Sequence, residues 1–231
     1  MKFSGSGSLS KMKYEDTITS SGSLRMDGEI DCLGFRSSGS VRGEGNLIVR
    51  GNFKSSGSFN LNGALNGEGN AKSSGSATIN KGINIKGVLE NSGSLRVGSG
   101  IEAIQGIRFS GSSRVDGGLN SEETIEIDGS TTVKGDIKAK KVLFGTLSHS
   151  GGKRVKKHPY KVFGNIFATD DLELTNTFVE KDVRGRSVII GRRTEIAGNV
   201  YYIDTIEIDP KATLARKPIQ ISEVPEDKIQ K

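Results

Sequence analysis

Apolar residues occur along this chain in short alternating groups. Leu95 and Val97 lie on either side of Arg96, and the next apolar residue, Ile101, follows four positions later. Residues two apart on an extended strand point to the same side, whereas a helix needs apolar residues three and four apart. The alternation therefore predicts short β-strands that each have one buried side.

The alternating groups belong to a repeat marked by Ser-Gly-Ser or a close variant. Its glycines are Gly5, Gly22, Gly39, Gly57, Gly75, Gly93, Gly111 and Gly129. Successive glycines are 17 or 18 residues apart. A fixed period indicates a solenoid, in which each repeat is one structural unit that packs on the next.

An aliphatic residue stands eight positions after each glycine from Gly22 onward. This predicted core column consists of Ile30, Leu47, Leu65, Ile83, Ile101, Leu119 and Ile137. A further predicted column consists of Phe35, Phe53, Ala71, Leu89, Ile107, Ile125 and Leu143. Other glycines, such as Gly28 and Gly34, fall six and twelve positions after the repeat glycine. Because glycine adopts positive φ at little steric cost, we expect them at corners between flat faces.

These patterns predict an all-β fold, a three-sided parallel β-helix (solenoid) with turns of 17–18 residues. We expect about ten turns, each climbing about 4.8 Å, the spacing of paired strands. Aligned small side chains fill so thin a core, which explains why only 33% of the residues are hydrophobic and 32 of 231 are glycine. Collagen is excluded because the chain has four prolines and no glycine at every third position.

One interruption and one tail complete the predicted organisation. We expect a single β-helical domain over residues 1–215 with a basic loop inserted at 146–161, where the alternation is missing. Residues 216–231 contain Pro218, Pro225 and several charges, and we expect a flexible C-terminal tail there.

Basic residues in and after the predicted loop are candidates for binding an anion or a partner. The net charge is +6, from 33 Lys+Arg and 27 Asp+Glu. The candidates are Lys153, Arg154, Lys156, Lys157, Lys161, Arg184, Arg186, Arg192 and Arg193. If they share a surface, lipid headgroups, nucleic acid or an acidic partner protein could bind there. The other interpretation is a solvated loop that keeps the protein soluble, so association with a membrane stays open.

The sequence offers little catalytic chemistry, and we expect neither an enzyme, a cofactor, a metal site nor a small-molecule substrate. The single cysteine, Cys32, falls on an inward position shared with Val49, and we expect it in the core. His149 and His158 lie in the predicted loop, where residues 146–161 provide no carboxylate to orient a general base. Apolar columns six positions apart also occur in hexapeptide-repeat acyltransferases, so such an enzyme is the alternative, although its glycine pattern differs.

Two segments carry a resemblance to a known family. Residues 23–32 (SLRMDGEIDC) and 132–139 (TVKGDIKA) resemble the V-x-G-x-I turns of the bactofilins, the polymer-forming cytoskeletal proteins, and the resemblance covers roughly residues 4–214. It implies a right-handed β-helix that assembles end to end into filaments without nucleotide. It also implies a scaffold role, often at membranes. Since Met1–Gly5 lacks the apolar run of a signal peptide, the expected location is the cytoplasm.

The ends of such a helix favour self-association independently of the resemblance. A terminal turn presents unpaired strand edges and the open end of an apolar column, which usually need a cap. The expected partner is therefore a second copy stacked on that edge. The opposing expectation is that Phe3 and Met12 plug one end while the tail folds over the other. A monomeric binding module that uses the basic loop is the third functional hypothesis.

Overall fold

The chain folds into a right-handed parallel β-helix of about 11 turns, which confirms the predicted fold class. The computed structural model describes residues 1–145 and 159–223. Those residues form thirty strands and no helix. All strand pairs in this part of the chain are parallel, and each interior strand pairs with the strand one turn before and one turn after it, as Ser94–Val97 does with Ser76–Ile79 and Ser112–Val115.

In chain order the strands are β1 Lys2–Phe3, β2 Ser6–Ser20, β3 Ser23–Ser37, β4 Ser40–Glu44, β5 Leu47–Val49, β6 Phe53–Ser55, β7 Ser58–Asn62, β8 Leu65–Gly67, β9 Ala71–Ser73, β10 Ser76–Ile79, β11 Ile83–Ile85, β12 Leu89–Asn91, β13 Ser94–Val97, β14 Ile101–Ala103, β15 Ile107–Phe109, β16 Ser112–Val115, β17 Leu119–Asn120, β18 Thr124–Ile127, β19 Thr131–Val133, β20 Ile137–Ala139, β21 Lys141–Phe144, β22 Tyr160–Val162, β23 Ile166–Ala168, β24 Asp171–Leu174, β25 Thr177–Val179, β26 Val183–Ile190, β27 Glu195–Ile196, β28 Val200–Ile208, β29 Thr213–Leu214 and β30 Ile219–Gln220.

These strands make three faces that follow one another in every turn. The first face begins after Ser-Gly-Ser and runs from the start of β2 through β4, β7 and β10 to β29. The second face runs from the middle of β2 through β5, β8 and β11 to β30. The third face runs from β1 and the end of β2 through β6, β9 and β12 to the end of β28.

The predicted core column lies inside the second face. Its seven residues are each at most 2% exposed. The column continues in register at both ends, and its full membership is Met12, Ile30, Leu47, Leu65, Ile83, Ile101, Leu119, Ile137, Ile166, Val183 and Val200. These eleven residues mark one turn each, one more than the ten turns that the sequence predicted.

The predicted column on the third face is wrong at its last member. Val142, not Leu143, pairs with Ile125 and is buried, while Leu143 pairs with Glu126 and lies half-buried on the outer side. The turn from Ile125 to Val142 is 17 residues long rather than 18. A one-residue shift moves a strand residue to the opposite side of its sheet, so the shorter turn exchanges the two positions.

The Ser-Gly-Ser glycines are needed for close approach rather than for positive φ. Among the described glycines, positive φ occurs at Gly28, Gly45, Gly106 and Gly145, and hence not at Gly34 or at the repeat glycines. A Cβ on Gly75 would collide with the carbonyl oxygen of Gly57, and a Cβ on Gly57 with that of Gly39. From Gly22 onward, each repeat glycine therefore lets the chain lie directly on the preceding turn.

A buried polar row on the third face is absent from the sequence prediction. It consists of Ser20, Ser37, Ser55, Ser73 and Asn91, each at most 5% exposed. The adjacent inward positions hold Phe35 and Phe53, whose stacked rings lie 5.6 Å apart, and Phe53 meets Phe59 edge-on at 5.1 Å. Small serines leave room for these rings in a narrow core, and Phe109 and Phe144 take the serine position in later turns.

Two predicted boundaries differ from the structure. Tyr160 and Lys161, which the sequence assigned to the loop, form β22 and pair with Thr131 and Thr132 one turn earlier. The predicted tail contributes β30, which pairs with Tyr201 and Tyr202 of β28. The other residues of the predicted loop except Pro159, and residues 224–231, lie outside the described part of the chain.

Replacing Ile83 with glutamate tests the inward column. Ile83 is 1% exposed and lies between Leu65 and Ile101, so a carboxylate there has no solvent and no cation. We expect Ile83→Glu to lose more than about 4 kcal/mol of unfolding free energy or to fail to fold. Asn60→Glu, at an exposed outward position between Arg42 and Thr78, should stay within about 0.5 kcal/mol of the parent. Urea denaturation followed by circular dichroism measures both, and equal stability of the two variants would contradict the column.

Alanine at a repeat glycine tests the stacking contact. We expect Gly75→Ala to lose at least about 1–3 kcal/mol, because its Cβ meets backbone that cannot move aside. Gly100→Ala is the control, since a Cβ on this interior glycine has no atom nearer than the Gly118 carbonyl oxygen at 3.5 Å. Thermal unfolding compares the two, and an equal loss at both positions would show that glycine serves another purpose.

Candidate functional site

The N-terminal end of the helix leaves most of one strand edge unpaired. Among the described residues, β2 pairs with β3 on one side, and on the other side only Thr19 and Ser20 pair, with β1. Met12 occupies the same column as Ile30, yet Met12 is 57% exposed and Ile30 is 0% exposed. The apolar column therefore opens to solvent at this end.

Phe3 covers one corner of this end. Its ring lies where a Cβ on Gly7 would be, and the half-buried side chain packs against the core. The structure thus supports half of the predicted plug, because Phe3 packs over this corner while Met12 is 57% exposed. Met1 remains 47% exposed beside it.

Arg50 holds the first turn in place from two turns away. Its guanidinium donates to the Tyr14 carbonyl at 2.8 Å and to the carboxylates of Glu15 and Asp31 at 2.7 and 3.0 Å. The hydrogen bond from Arg50, helped by one from Lys13, lowers the pKa of Glu15. These contacts hold the edge in strand geometry and leave its outer hydrogen-bonding groups uncovered.

The C-terminal end of the described chain is also apolar and incompletely covered. β30 pairs with Tyr201 and Tyr202, and Gln220 Nε2 donates to the Ile203 carbonyl at 2.9 Å. The described residues provide no further strand for the outer edge of residues 204–208 or of β29. Ile208 is 42% exposed, and Ile206 and Leu214 are only partly buried against the core. In the preceding turn the counterpart of Ile208, Ile190, is 0% exposed.

The two ends combine the features that favour association with another strand. Each presents backbone N–H and C=O groups in strand geometry together with apolar side chains that are buried everywhere else in the column. The described sides of the helix differ, because their strands are paired and their outward rows carry charges. On the third face Glu90 lies between Lys72 at 2.8 Å and Arg108 at 3.7 Å.

The basic residues that the structure describes do not form one patch. Lys161 is exposed on the first face, while Arg184 lies on the second face with its guanidinium 4.8 Å from the centre of the Tyr201 ring. Arg186 pairs with Asp204 at 3.3 Å near the next corner. Arg192 and Arg193 are exposed between β26 and β27, on the way from the third face to the first. Lys153, Arg154, Lys156 and Lys157 lie outside the described residues, as do His149 and His158.

Cys32, the single cysteine of the chain, could act as a nucleophile only as a thiolate. Its side chain is 0% exposed in the inward column with Val49, and burial raises the pKa of its thiol to about 12. A thiol with such a pKa carries almost no thiolate near neutral pH. Within residues 1–145 and 159–223, no group of three or more His, Cys, Asp or Glu side chains could hold a metal ion.

Comparisons with protein-family models, with curated proteins and with solved structures give no match to this chain. No helix in the described residues is long and apolar enough to cross a bilayer.

The buried thiol gives a direct test of packing near the N-terminal end. We expect the native protein to stay unlabelled by iodoacetamide at pH 8 and to be labelled after denaturation, because attack requires the thiolate. A Cys32→Ala/Leu33→Cys variant is the control, since Leu33 is the neighbouring residue and is 50% exposed. Mass spectrometry detects the adduct, and rapid labelling of native Cys32 would show that the first turns open.

Proposed function

We propose that this protein is a structural scaffold that assembles end to end into filaments without nucleotide, in the manner that its resemblance to the bactofilins implies. The observation that carries the proposal is the contrast between Met12 at 57% exposure and its column neighbour Ile30 at 0%. A second copy stacked on that edge gives Met12 the surroundings that every other member of the column has.

The size of the end contact supports association. Completing the burial of a half-exposed aliphatic side chain contributes roughly 1 kcal/mol, about half the value for full burial. Each added backbone hydrogen bond contributes about 1 kcal/mol net. An edge with three faces offers several of both, and together they act against an association cost of about 4–15 kcal/mol.

The sides of the helix direct this association along its axis. Their described interior strands already have partners on both edges, and an outward row of the third face alternates in charge at Lys72, Glu90 and Arg108. Charged outward residues discourage contact with another strand or sheet. Growth therefore proceeds at the ends, and the product is a filament rather than an irregular aggregate.

A charge at the open column tests the proposed function. We expect the parent protein, without nucleotide, to form filaments in negative-stain electron microscopy and to sediment on ultracentrifugation. Met12→Glu should abolish both while leaving the circular dichroism spectrum unchanged, because Met12 is exposed in the single copy and would be buried only in the filament.

Leu33→Glu is the matched control, because Leu33 has a similar exposure of 50% and lies in β3, one turn inside the open edge. It should assemble as the parent does. A parent protein that remains a single copy at high concentration would remove the proposed function.

A further inference from the structure

We propose that the contact between copies is head to tail and in register, so that the N-terminal end of one copy continues the β-helix of the copy before it. This inference rests on the proposed end-to-end assembly and adds the polarity of the filament and the residues that meet. The partner is a second copy of this chain.

The order of the faces supports a head-to-tail contact. The last described strand, β30, lies on the second face, and the face that follows it in every turn is the third. The first strand of the chain, β1, lies on the third face, where it pairs with the end of β2. The outermost strands at the N-terminal end are β1 and β2, and those of the described C-terminal end are the end of β28, β29 and β30. Parallel stacking of these edges continues all three faces without rotation about the axis.

The inward columns also continue across such a junction. Phe3 heads the column that ends at Ile208, and Leu9 heads the column that ends at Leu214. Stacking the two ends in register places Phe3 of one copy on Ile208 of the other, and Leu9 on Leu214. Ile208 is 42% exposed in the single copy, so its apolar side chain gains cover in the junction.

Charge complementarity on the outward side favours the same register. Lys2 and Glu207 are exposed at opposite ends of one outward row on the third face. Neither has an ion pair within the described residues. A head-to-tail junction makes Lys2 of one copy the neighbour of Glu207 of the other, and opposite charges in adjacent strands stabilise the pairing. A two-fold contact through the third face would instead set Lys2 against Lys2, or Glu207 against Glu207.

Engineered disulfides determine which ends meet. In a Cys32→Ala background we would compare Lys2→Cys, Glu207→Cys and the double variant Lys2→Cys/Glu207→Cys. Adjacent strands lie about 4.8 Å apart, which is within reach of a disulfide. After mild oxidation and a non-reducing gel, we expect a ladder of oligomers from the double variant. An equimolar mixture of the two single variants should give dimers, and each single variant alone should give none.

Each outcome is decisive. Dimers from one single variant alone would show contact between like ends and would overturn the head-to-tail inference while leaving end-to-end assembly intact. Filaments in electron microscopy without cross-linking in the mixture would overturn the register. A double variant and a parent that both remain single copies would overturn the proposed function itself.

Charge reversal gives an independent readout. Glu207→Lys should raise the concentration needed for assembly by roughly fivefold, the size of one exposed ion pair replaced by repulsion. Lys2→Glu/Glu207→Lys should restore it. Glu173→Lys is the control, because Glu173 lies in the same outward row two turns inside the end. An effect of Glu173→Lys equal to that of Glu207→Lys, or no rescue, would contradict a direct contact.

Discussion

The rest of the structure depends on one interaction, the in-register hydrogen bonding of each turn to the turn before it. Parallel pairing places Ser94 on Ser76, Leu95 on Ala77 and Val97 on Ile79. Every side chain therefore meets the residue one repeat earlier. Where two glycines meet, the backbones approach so closely that no Cβ fits between them. Where two asparagines meet, as at Asn84 and Asn66, an amide of one donates to the oxygen of the other at 3.0 Å.

The same interaction is complete in the interior and incomplete at the ends. An interior strand such as β10 has a partner on both edges, whereas most of β2 has a partner on one. Arg50 reaches Tyr14 and Glu15 and stabilises the first turn without covering it. The exposed apolar residues at the ends follow from this geometry, and so does the proposed polymer, because a second copy provides the kind of partner that the interior strands have.

The fold could be predicted from the sequence because a solenoid places the same type of residue at the same position of many successive turns. Ile83 and Ile101 alone would not identify the inward side of the strands, but seven aliphatic residues at one period do.

Leu143 could not be placed correctly, because no residue near it signals that this turn is one residue shorter and because Val142 and Leu143 are both apolar. The buried serines were missed because serine is usually exposed. Their fixed position in the repeat could have revealed that they are buried, since a serine or asparagine stands two residues before each repeat glycine from Gly22 to Gly93.

The candidate site was harder to predict, because the face on which a side chain lies depends on where the chain turns a corner between two faces. Arg184 and Arg186 are two residues apart, yet one lies over Tyr201 on the second face and the other pairs with Asp204 beyond it. Exposure at the ends likewise depends on which turn is last. Only the structure shows Met12 uncovered while Phe3 packs over Gly7.

Cryo-electron microscopy of the assembled protein tests the central claim most directly, because the repeat along the filament reports how copies stack. Each face of one copy holds twelve described strands, and on the third face this row begins at Phe3 and ends at Ile208. With strands about 4.8 Å apart, in-register head-to-tail stacking therefore predicts an uninterrupted strand spacing and a subunit repeat of roughly 58 Å. A repeat of twice that length would mean that like ends meet, and separate single copies with both ends covered by their own residues would contradict the account.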